Sequence, residues 1–587
     1  MNRKTRRSQK TNRRGGGNKS QHSPQARFEK AVEYFQAGRF REARKLAERL
    51  TDEYPKTPDL YLLRGTIALH EGQYGQAEDV LRRGLFHSPD NAALADLLGT
   101  ALVYQRKFEE AITACRRAVA NAPNDGSVVA NLGNALMLAG DFPSAVETFR
   151  ESLRIRPGDA KTEGNLGGAL KKLDRLEEAE IAHRRSIEID PTELETYIDL
   201  GDLLVKKQDW PAVIVCLDEA IRKGTENPDA FVFKSKALAT LGRLDEAEET
   251  IEKALEINPN HAYARMTASL YYLYAERWLD SWRAFEARWE MPATPPRPFP
   301  QPLWCGQECA GKTVLAWGEQ GLGDEVMYAS MLPDLLGVAG KVVLETDPRL
   351  VPLFRRSFPE IQCLPRRTPP VPETQRPDID YQVPLGNLGT QFRKTEEEFP
   401  GGKPYLEADS ARVEMMRERY ASEGTLLIGI AWSSKRADAA SQKSMSLNQL
   451  SPLFELPGIR FVDLQYGDTQ SERDEFEAET GFSLVHDAEI DQMVDVDAFA
   501  AQVAAMDLII SISNTTVHMA GALGVPTWLM IHAVPGRRWM LRRTDSPWYD
   551  CIRIFRQTEL GAWGPVVADV RRDLAAFAAA RSGQQPT

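Results

Sequence analysis

Long hydrophobic runs are missing from this chain of 587 residues: no stretch approaches 18 consecutive apolar residues, and no apolar segment follows the basic start. The first absence argues against a membrane-spanning helix and the second against a secretory leader, so the sequence points to the cytoplasm. Cysteine is scarce, with six residues scattered at 115, 216, 305, 309, 363 and 551. Cys305 and Cys309 stand four apart, a spacing that fits no zinc pattern and has no second pair, so reduced structural thiols and no metal site are expected. Acidic residues are absent from 1–23, which hold eight Lys/Arg and Gly15-Gly16-Gly17. That composition predicts a disordered basic tail. With those eight cations set aside, the net charge of −11 becomes −19 over the remainder, which argues against nucleic-acid binding.

What is present is ordinary globular composition, 42% apolar and 27% charged, on a chain too long for one core. From Pro24 the sequence repeats every 34 residues. Small residues recur at Ala31, Gly65, Gly99, Gly133, Gly167 and Gly201. Alanine recurs at Ala43, Ala77, Ala111, Ala145, Ala179 and Ala247, with Val213 in the remaining unit. Proline recurs at Pro55, Pro89, Pro123, Pro157, Pro191 and Pro259 and slips to Pro228 in the sixth unit. Small residues let two helices approach closely, and proline ends the second. This grammar resembles the tetratricopeptide repeat, two antiparallel helices per unit, and predicts an α-solenoid over 24–291. Seven units fit, to 261, and an eighth decays into Tyr271-Tyr272, Trp278, Trp282 and Trp289, read as a cap or a docking surface.

Solenoids of this kind hold extended peptides. One stripe of the first helices carries Asn131, Asn165 and Asp199, with Asn134 one turn beyond Asn131. Amides pair with a peptide backbone whatever its sequence, which makes these four the candidate acceptor-binding residues. The competing reading is a row of exposed polar positions.

Residues 292–311 are proline-rich and read as a linker along the surface. Within it, Gly306 to Thr313 satisfies the G-x-x-x-x-G-K-T phosphate-loop expression, but a strand follows where such a loop needs a helix, so it is rejected. Strands and helices then alternate. One lobe is expected over 312–422, with strands at Thr313–Trp317, 341–345 and 381–386. A second is expected over 423–587, with strands near 426–432, 460–465, 508–511 and 526–531.

The stretch Trp317-Gly-Glu-Gln-Gly-Leu-Gly-Asp324-Glu325 joins a strand to a helix expected to open at Asp324 and run to about Leu336. Gly321 and Gly323 bring free amides and a positive helix end to the carboxyl end of the strand, where open α/β sheets bind ligands. A second such turn, Ser513-Asn514-Thr515-Thr516 with His518 one turn on, follows the 508 strand. Helix capping and a core histidine are the plainer alternatives. Ser433, Lys435, Arg436 and Lys443 put hydroxyls and cations on the same rim, suited to a pyrophosphate. Arg537, Arg538, Trp539, Trp548 and Tyr549 join cations to aromatics that could stack on a base or sugar, or pack between lobes.

These residues carry a resemblance. Gly318 to Asp324, the Ser511–Pro526 stretch, and Arg538-Trp539 with Asp545 to Tyr549 are similar to bacterial tetratricopeptide proteins bearing a glycosyltransferase module. That module is related to the ADP-heptose:lipopolysaccharide heptosyltransferases. In architecture the chain also resembles O-GlcNAc transferases and flagellin glycosyltransferases. The resemblance implies a GT-B fold of two Rossmann-like lobes and inverting transfer without metal or cofactor. It also implies a nucleotide-sugar held mainly by the second lobe. Asp324 takes the place of the family's general base, and Lys443 that of a cation on the donor phosphates. Ser513 replaces an Asp common in relatives, which puts heptose in doubt. The expected activity is sugar transfer to a protein acceptor, flagellin being the specific candidate. Asp324 is catalytic, and Gly321, Gly323, Ser433, Lys443, Ser513, Asn514, Thr515, Thr516, His518 and Arg538 bind the donor. The alternatives are an inactive repeat scaffold and a transferase acting on lipopolysaccharide.

Overall fold

The computed structural model describes residues 23–291, 296–399, 402–422, 424–434, 444–534, 536–559 and 561–582. Residues 1–22 of the basic tail, the start of the linker and Lys443 with its neighbours Lys435 and Arg436 lie outside the described residues. The chain forms two compact units, Met1–Ala237 and Leu238–Thr587.

In the first unit, helices pair as the 34-residue period requires, for example Pro58–His70 with Tyr74–His87 and Ala92–Tyr104 with Phe108–Asn121. The recurring glycines are contact points. A Cβ on Gly133 would lie 2.6 Å from the Phe149 ring, on Gly167 2.7 Å from the His183 ring, and on Gly201 2.7 Å from Leu217. Each glycine thus receives the residue sixteen positions on, from the partner helix. The recurring alanines and Val213 are fully buried. A further 34-residue signature appears in the backbone: residues 38, 72, 106, 140, 174, 208, 242 and 276 all adopt positive φ in the turn between paired helices. Four are glycine; Arg106, Asp174, Gln208 and Glu276 hold the same left-handed turn with a side chain.

The second unit begins with the helices Leu244–Ile257, Ala262–Tyr274 and Trp278–Phe285 and the 3-10 turn Glu286–Glu290. Two parallel sheets follow. The first joins β1 (Thr313–Trp317), β2 (Lys341–Thr346), β3 (Gln362–Pro365) and β4 (Tyr381–Pro384) in the order β3-β2-β1-β4. The second joins β5 (Leu426–Ala431), β6 (Ile459–Asp463), β7 (Leu508–Ile512), β8 (Thr527–Ile531) and β9 (Ile552–Arg556) in the order β6-β5-β7-β8-β9. The linker reaches the first sheet's edge: the Trp304 amide donates to Gln382 O at 2.8 Å and the Gln382 amide to Pro302 O at 3.0 Å.

Alternation along the strands sorts the cores. Leu508, Ile510 and Ile512 pack with the closing helix Trp563–Ser582, whereas Ile509 faces a cluster shared with Val314, Ala316, Leu344 and Val383 of the first sheet. Trp278, Trp282 and Phe285 belong to that same cluster, so the aromatic eighth repeat is a docking surface inside this unit.

Three expectations change. β3 and β9 were not read from the sequence: both are edge strands, with one neighbour and a weak apolar signal. The helix after the glycine loop starts at Leu322, not Asp324, and stops at Tyr328. A 3-10 turn at Ala329–Met331 and Pro333, near the start of the next helix, break the predicted run to Leu336.

Candidate functional site

β1 ends at Trp317, and the chain turns through Gly318 to Gly321. Gln320, a non-glycine residue at φ 62°, is the strained member of that turn. Asp324 sits third in the short helix and reaches back, its Oδ2 accepting from the Gly321 amide at 3.3 Å. The site's three acids are separated by their partners. Glu319 is gripped by Arg288, Nε to Oε2 at 2.7 Å and Nη2 to Oε1 at 2.6 Å, and accepts from the Gly386 amide at 2.9 Å. Glu325 accepts from Thr346 Oγ1 at 2.6 Å and the Asp347 amide at 3.0 Å, with Arg366 2.7 Å from Oε1. Only Asp324 of the three lines a cavity, of about 680 Å³. Its Oδ1 is bound by Arg538 through Nε at 2.9 Å and through Nη2. Burial alone would raise the Asp324 carboxyl; the Arg538 charge and hydrogen bonds outweigh it and hold the group below its usual range.

The second turn faces the first. A Cβ on Gly323 would meet His518 at 3.0 Å and Thr515 at 3.5 Å, so the helix starts of the two sheets touch where glycine leaves room. Asn514 caps the Thr515–Leu523 helix, its Oδ1 accepting from the Thr516 amide at 3.0 Å, while its buried Nδ2 has no partner among the described residues. The capping alternative therefore holds for Asn514. Thr516 is fully buried and its hydroxyl donates to Leu464 O at 3.4 Å, which commits it to the fold. His518 is buried, with Nδ1 3.0 Å from Tyr549 OH and its ring stacked on Trp539 at 5.1 Å. Burial, assisted by Arg538, pushes its pKa down to about 3, so the imidazole is neutral.

The 536–549 loop ties the two turns together. Arg538 binds Asp324, and the next residue, Trp539, donates Nε1–H to Ser513 Oγ at 2.6 Å. Trp539, Trp548 and Tyr549 are buried, and Trp548 packs edge-on against Trp282, Tyr328 and Phe399. Packing between lobes, one of the two readings of these rings, is what the structure shows for Trp539 and Tyr549, while Trp548, also nearly buried, contributes to the wall of the cavity at Asp324. The Ser433 amide donates to Gln465 Oε1 at 2.8 Å at the end of β5, and the loop carrying Lys443 is outside the described residues.

In the first unit the predicted stripe is a hydrogen-bonded ladder. Asn131 Nδ2 donates to both Asp96 oxygens at 3.0 and 2.9 Å, and Asn165 Nδ2 to Asn134 Oδ1 at 2.7 Å. Lys171 Nζ lies 2.7 Å from Asp202, and Asp199 is exposed on the same row. The amides of Asn131 and Asn165 are therefore bound to neighbouring side chains.

Sequence reasoning missed Arg288, which approaches the glycine loop from the end of the repeats, and Met266, Leu273 and Met540 in the cavity wall. No local pattern marks them, since they converge from segments far apart in the chain.

Comparison with known proteins agrees with the repeats. Tetratricopeptide repeat families match residues 28–92 and 97–160, and 164–193 and 228–261. The N-terminal region is a tetratricopeptide-repeat solenoid, a class that typically binds protein partners. A curated relative, Protein FlbA of Caulobacter vibrioides, is 33% identical over 389 residues, which cover 62% of this chain. The match spans 64% of that relative's length, less than two thirds. Among solved structures, Pseudomonas aeruginosa pilF is 18% identical at a TM-score of 0.32, over 35% of this chain and 95% of that one. A tetratricopeptide repeat protein from Parabacteroides merdae is 14% identical at 0.36, over 42% and 98%. Among the described residues no helix is long and apolar enough to cross a membrane.

Proposed function

We propose that this chain is a cytoplasmic glycosyltransferase that moves a sugar from a nucleotide-sugar to a serine or threonine of a protein held by the repeats. In this reading the two parallel sheets are the lobes of a GT-B fold. The observation that carries it is the contact of Gly323 with Thr515 and His518, where two helix starts at the carboxyl ends of two sheets meet beside one cavity-lining carboxylate, Asp324.

The donor phosphates sit at the start of the Thr515–Leu523 helix, near Asn514, and draw Arg538 away from Asp324, because a diphosphate is a more highly charged bidentate partner for a guanidinium. Without that cation the Asp324 carboxylate becomes a better base. It takes the acceptor hydroxyl proton as the oxygen attacks the anomeric carbon. The bond to the phosphate oxygen breaks with its electron pair leaving on the nucleotide. Arg538 and the helix start supply the counter-charge, so the step needs no metal or cofactor. The neutral His518 holds Trp539 and Tyr549 in place and carries no proton in this scheme.

The Asp324–Arg538 and Ser513–Trp539 bonds favour a second reading, a repeat scaffold that binds without turnover. The test is a nucleotide-sugar panel screened by thermal shift and hydrolysis, with Asp324→Ala alongside. Turnover lost in the variant while binding persists supports transfer. Binding without turnover supports the scaffold, and no binding overturns both. Flagellin is the first acceptor to assay, from the resemblance of repeats plus module, with lipopolysaccharide as the contrasting acceptor.

A further inference from the structure

A cavity of about 470 Å³ lies in the repeats between the second helices of two adjacent units, Phe142–Ile155 and Leu176–Ile189. Leu166 and Leu170 of the intervening helix Ala160–Lys172 are its buried wall, and Ile181 is a half-exposed part of its rim. None of the residues in the Asn131–Asn165 ladder lines it. Glu163 does line it, and that side chain is 9% exposed. Among the described residues Glu163 makes no hydrogen bond and no ion pair within 4 Å. Burial raises its carboxyl above the ordinary range, opposed by the Arg185 charge. Buried acceptors in folded proteins have donors, so an unpartnered one in a cavity marks where a donor belongs.

The other repeats show what fits. At the place of Glu163 in the 34-residue register, the inner units hold Tyr61, Ala95, Val129, Tyr197 and Phe231, all buried, and the end units Arg27 and Arg265. Where the residue is tyrosine, its hydroxyl donates to the proline carbonyl six positions earlier, Tyr61 to Pro55 O at 2.9 Å and Tyr197 to Pro191 O at 3.5 Å. Pro157, the matching proline, lines the cavity. Glutamate at 163 thus leaves a ring's space unfilled and adds an acceptor to it. The charges around the opening favour a neutral donor. Arg150 pairs with Glu178 and Arg154 with Glu151, each at 2.7 Å, and Arg185 already supplies a counter-charge to Glu163. An ammonium would bring an uncompensated cation beside three arginines, whereas a phenol brings a ring and one O–H.

We propose that this cavity docks a tyrosine side chain of a partner protein, its ring against Leu153, Leu166, Leu170 and Ile181 and its hydroxyl donating to Glu163. Tyrosine is a common anchor where proteins meet, and solenoids of this class bind proteins. The site uses neither the asparagine ladder nor Asp324, so it is independent of the transfer reading.

The test is saturation-transfer NMR on the full chain with the peptide Ac-Gly-Gly-Tyr-Gly-Gly-amide and versions carrying Phe, Lys or phosphotyrosine in place of Tyr. Wild type is expected to bind the Tyr peptide at least about tenfold more tightly than the other three, because the phenol alone combines a ring with a neutral donor to a carboxylate. Glu163→Tyr fills the cavity from within, so it should abolish binding and raise the thermal transition. Glu163→Leu keeps the apolar wall without the acceptor, and should erase the difference between the Tyr and Phe peptides. No binding of the Tyr peptide by wild type, or equal binding of Tyr and Phe, overturns the proposal. So does tighter binding of the Lys or phosphotyrosine peptide, or a Tyr preference unchanged in both Glu163 variants.

Discussion

Arg288, in the last turn of the repeat region, forms a two-pronged ion pair with Glu319, two residues past the end of β1, with both side chains almost free of solvent. Arg288 also donates to Phe285 O at 3.1 Å and to Asn387 Oδ1. The end of the repeats and the glycine loop are therefore one piece of structure. Removing one member leaves a buried charge without its partner, so Arg288→Met is expected to destabilise the second unit by about 3–5 kcal/mol. The double change Arg288→Met with Glu319→Met should recover part of that loss. Urea unfolding of both variants checks it; equal midpoints for wild type and Arg288→Met would show that the pair holds nothing.

Arg538 sets the state of Asp324. Replacing it with Gln removes the main influence that offsets burial, and the Asp324 carboxyl should rise. A base acts deprotonated, so the acid limb of any turnover should move to higher pH in Arg538→Gln, with nucleotide-sugar binding weakened about tenfold or more. A pH–rate profile beside binding isotherms measures both. An unmoved acid limb would dissociate Asp324 from the rate.

Gly167 and Gly168 are adjacent in the helix Ala160–Lys172 and should respond oppositely to alanine. At Gly167 a Cβ collides with His183, a fully buried imidazole kept neutral by burial, its pKa near 4, and the expected cost is about 1–3 kcal/mol. At Gly168 nothing lies within 4 Å, and alanine should gain about 0.5–1 kcal/mol of helix propensity. Thermal melts of the two variants decide it.

Asp96 gives the repeats a pH dependence. Burial pushes its carboxyl up to about 6, against an ordinary value of 3.8, although Asn131 donates to it. Between those values the folded protein binds more protons than the unfolded chain. Its contribution to stability is therefore full below pH 3.8 and is lost as pH rises through about 6. Asp96→Asn should flatten that slope and raise stability at pH 7 by roughly 1–2 kcal/mol. Unfolding at pH 4, 5, 6 and 7 tests the sign.

The two helix starts were legible as turns at strand ends, and so was Asp324 as a candidate acid, because a strand followed by glycines and a helix is a local pattern. The partners of that acid were not. Glu319 and Glu325 stand beside Asp324 in the same stretch, and it is Arg288 and Arg366, arriving from 31 residues before and 41 residues after, that engage them in ion pairs. Trp539 and Trp548 looked like ligand-stacking rings because exposure is not written in a residue's type.

The sequence by itself determined the solenoid, since its 34-residue spacing of small residues is the packing rule of adjacent helices and needs no distant information. It also determined most strands of the two parallel sheets, whose apolar runs are buried on both faces. Tertiary structure alone decided which charges pair, which rings are covered, and that the last repeat walls the cavity at Asp324. Those outcomes depend on contacts between segments up to 274 positions apart, such as Met266 and Met540 in one wall, and no local pattern carries that information.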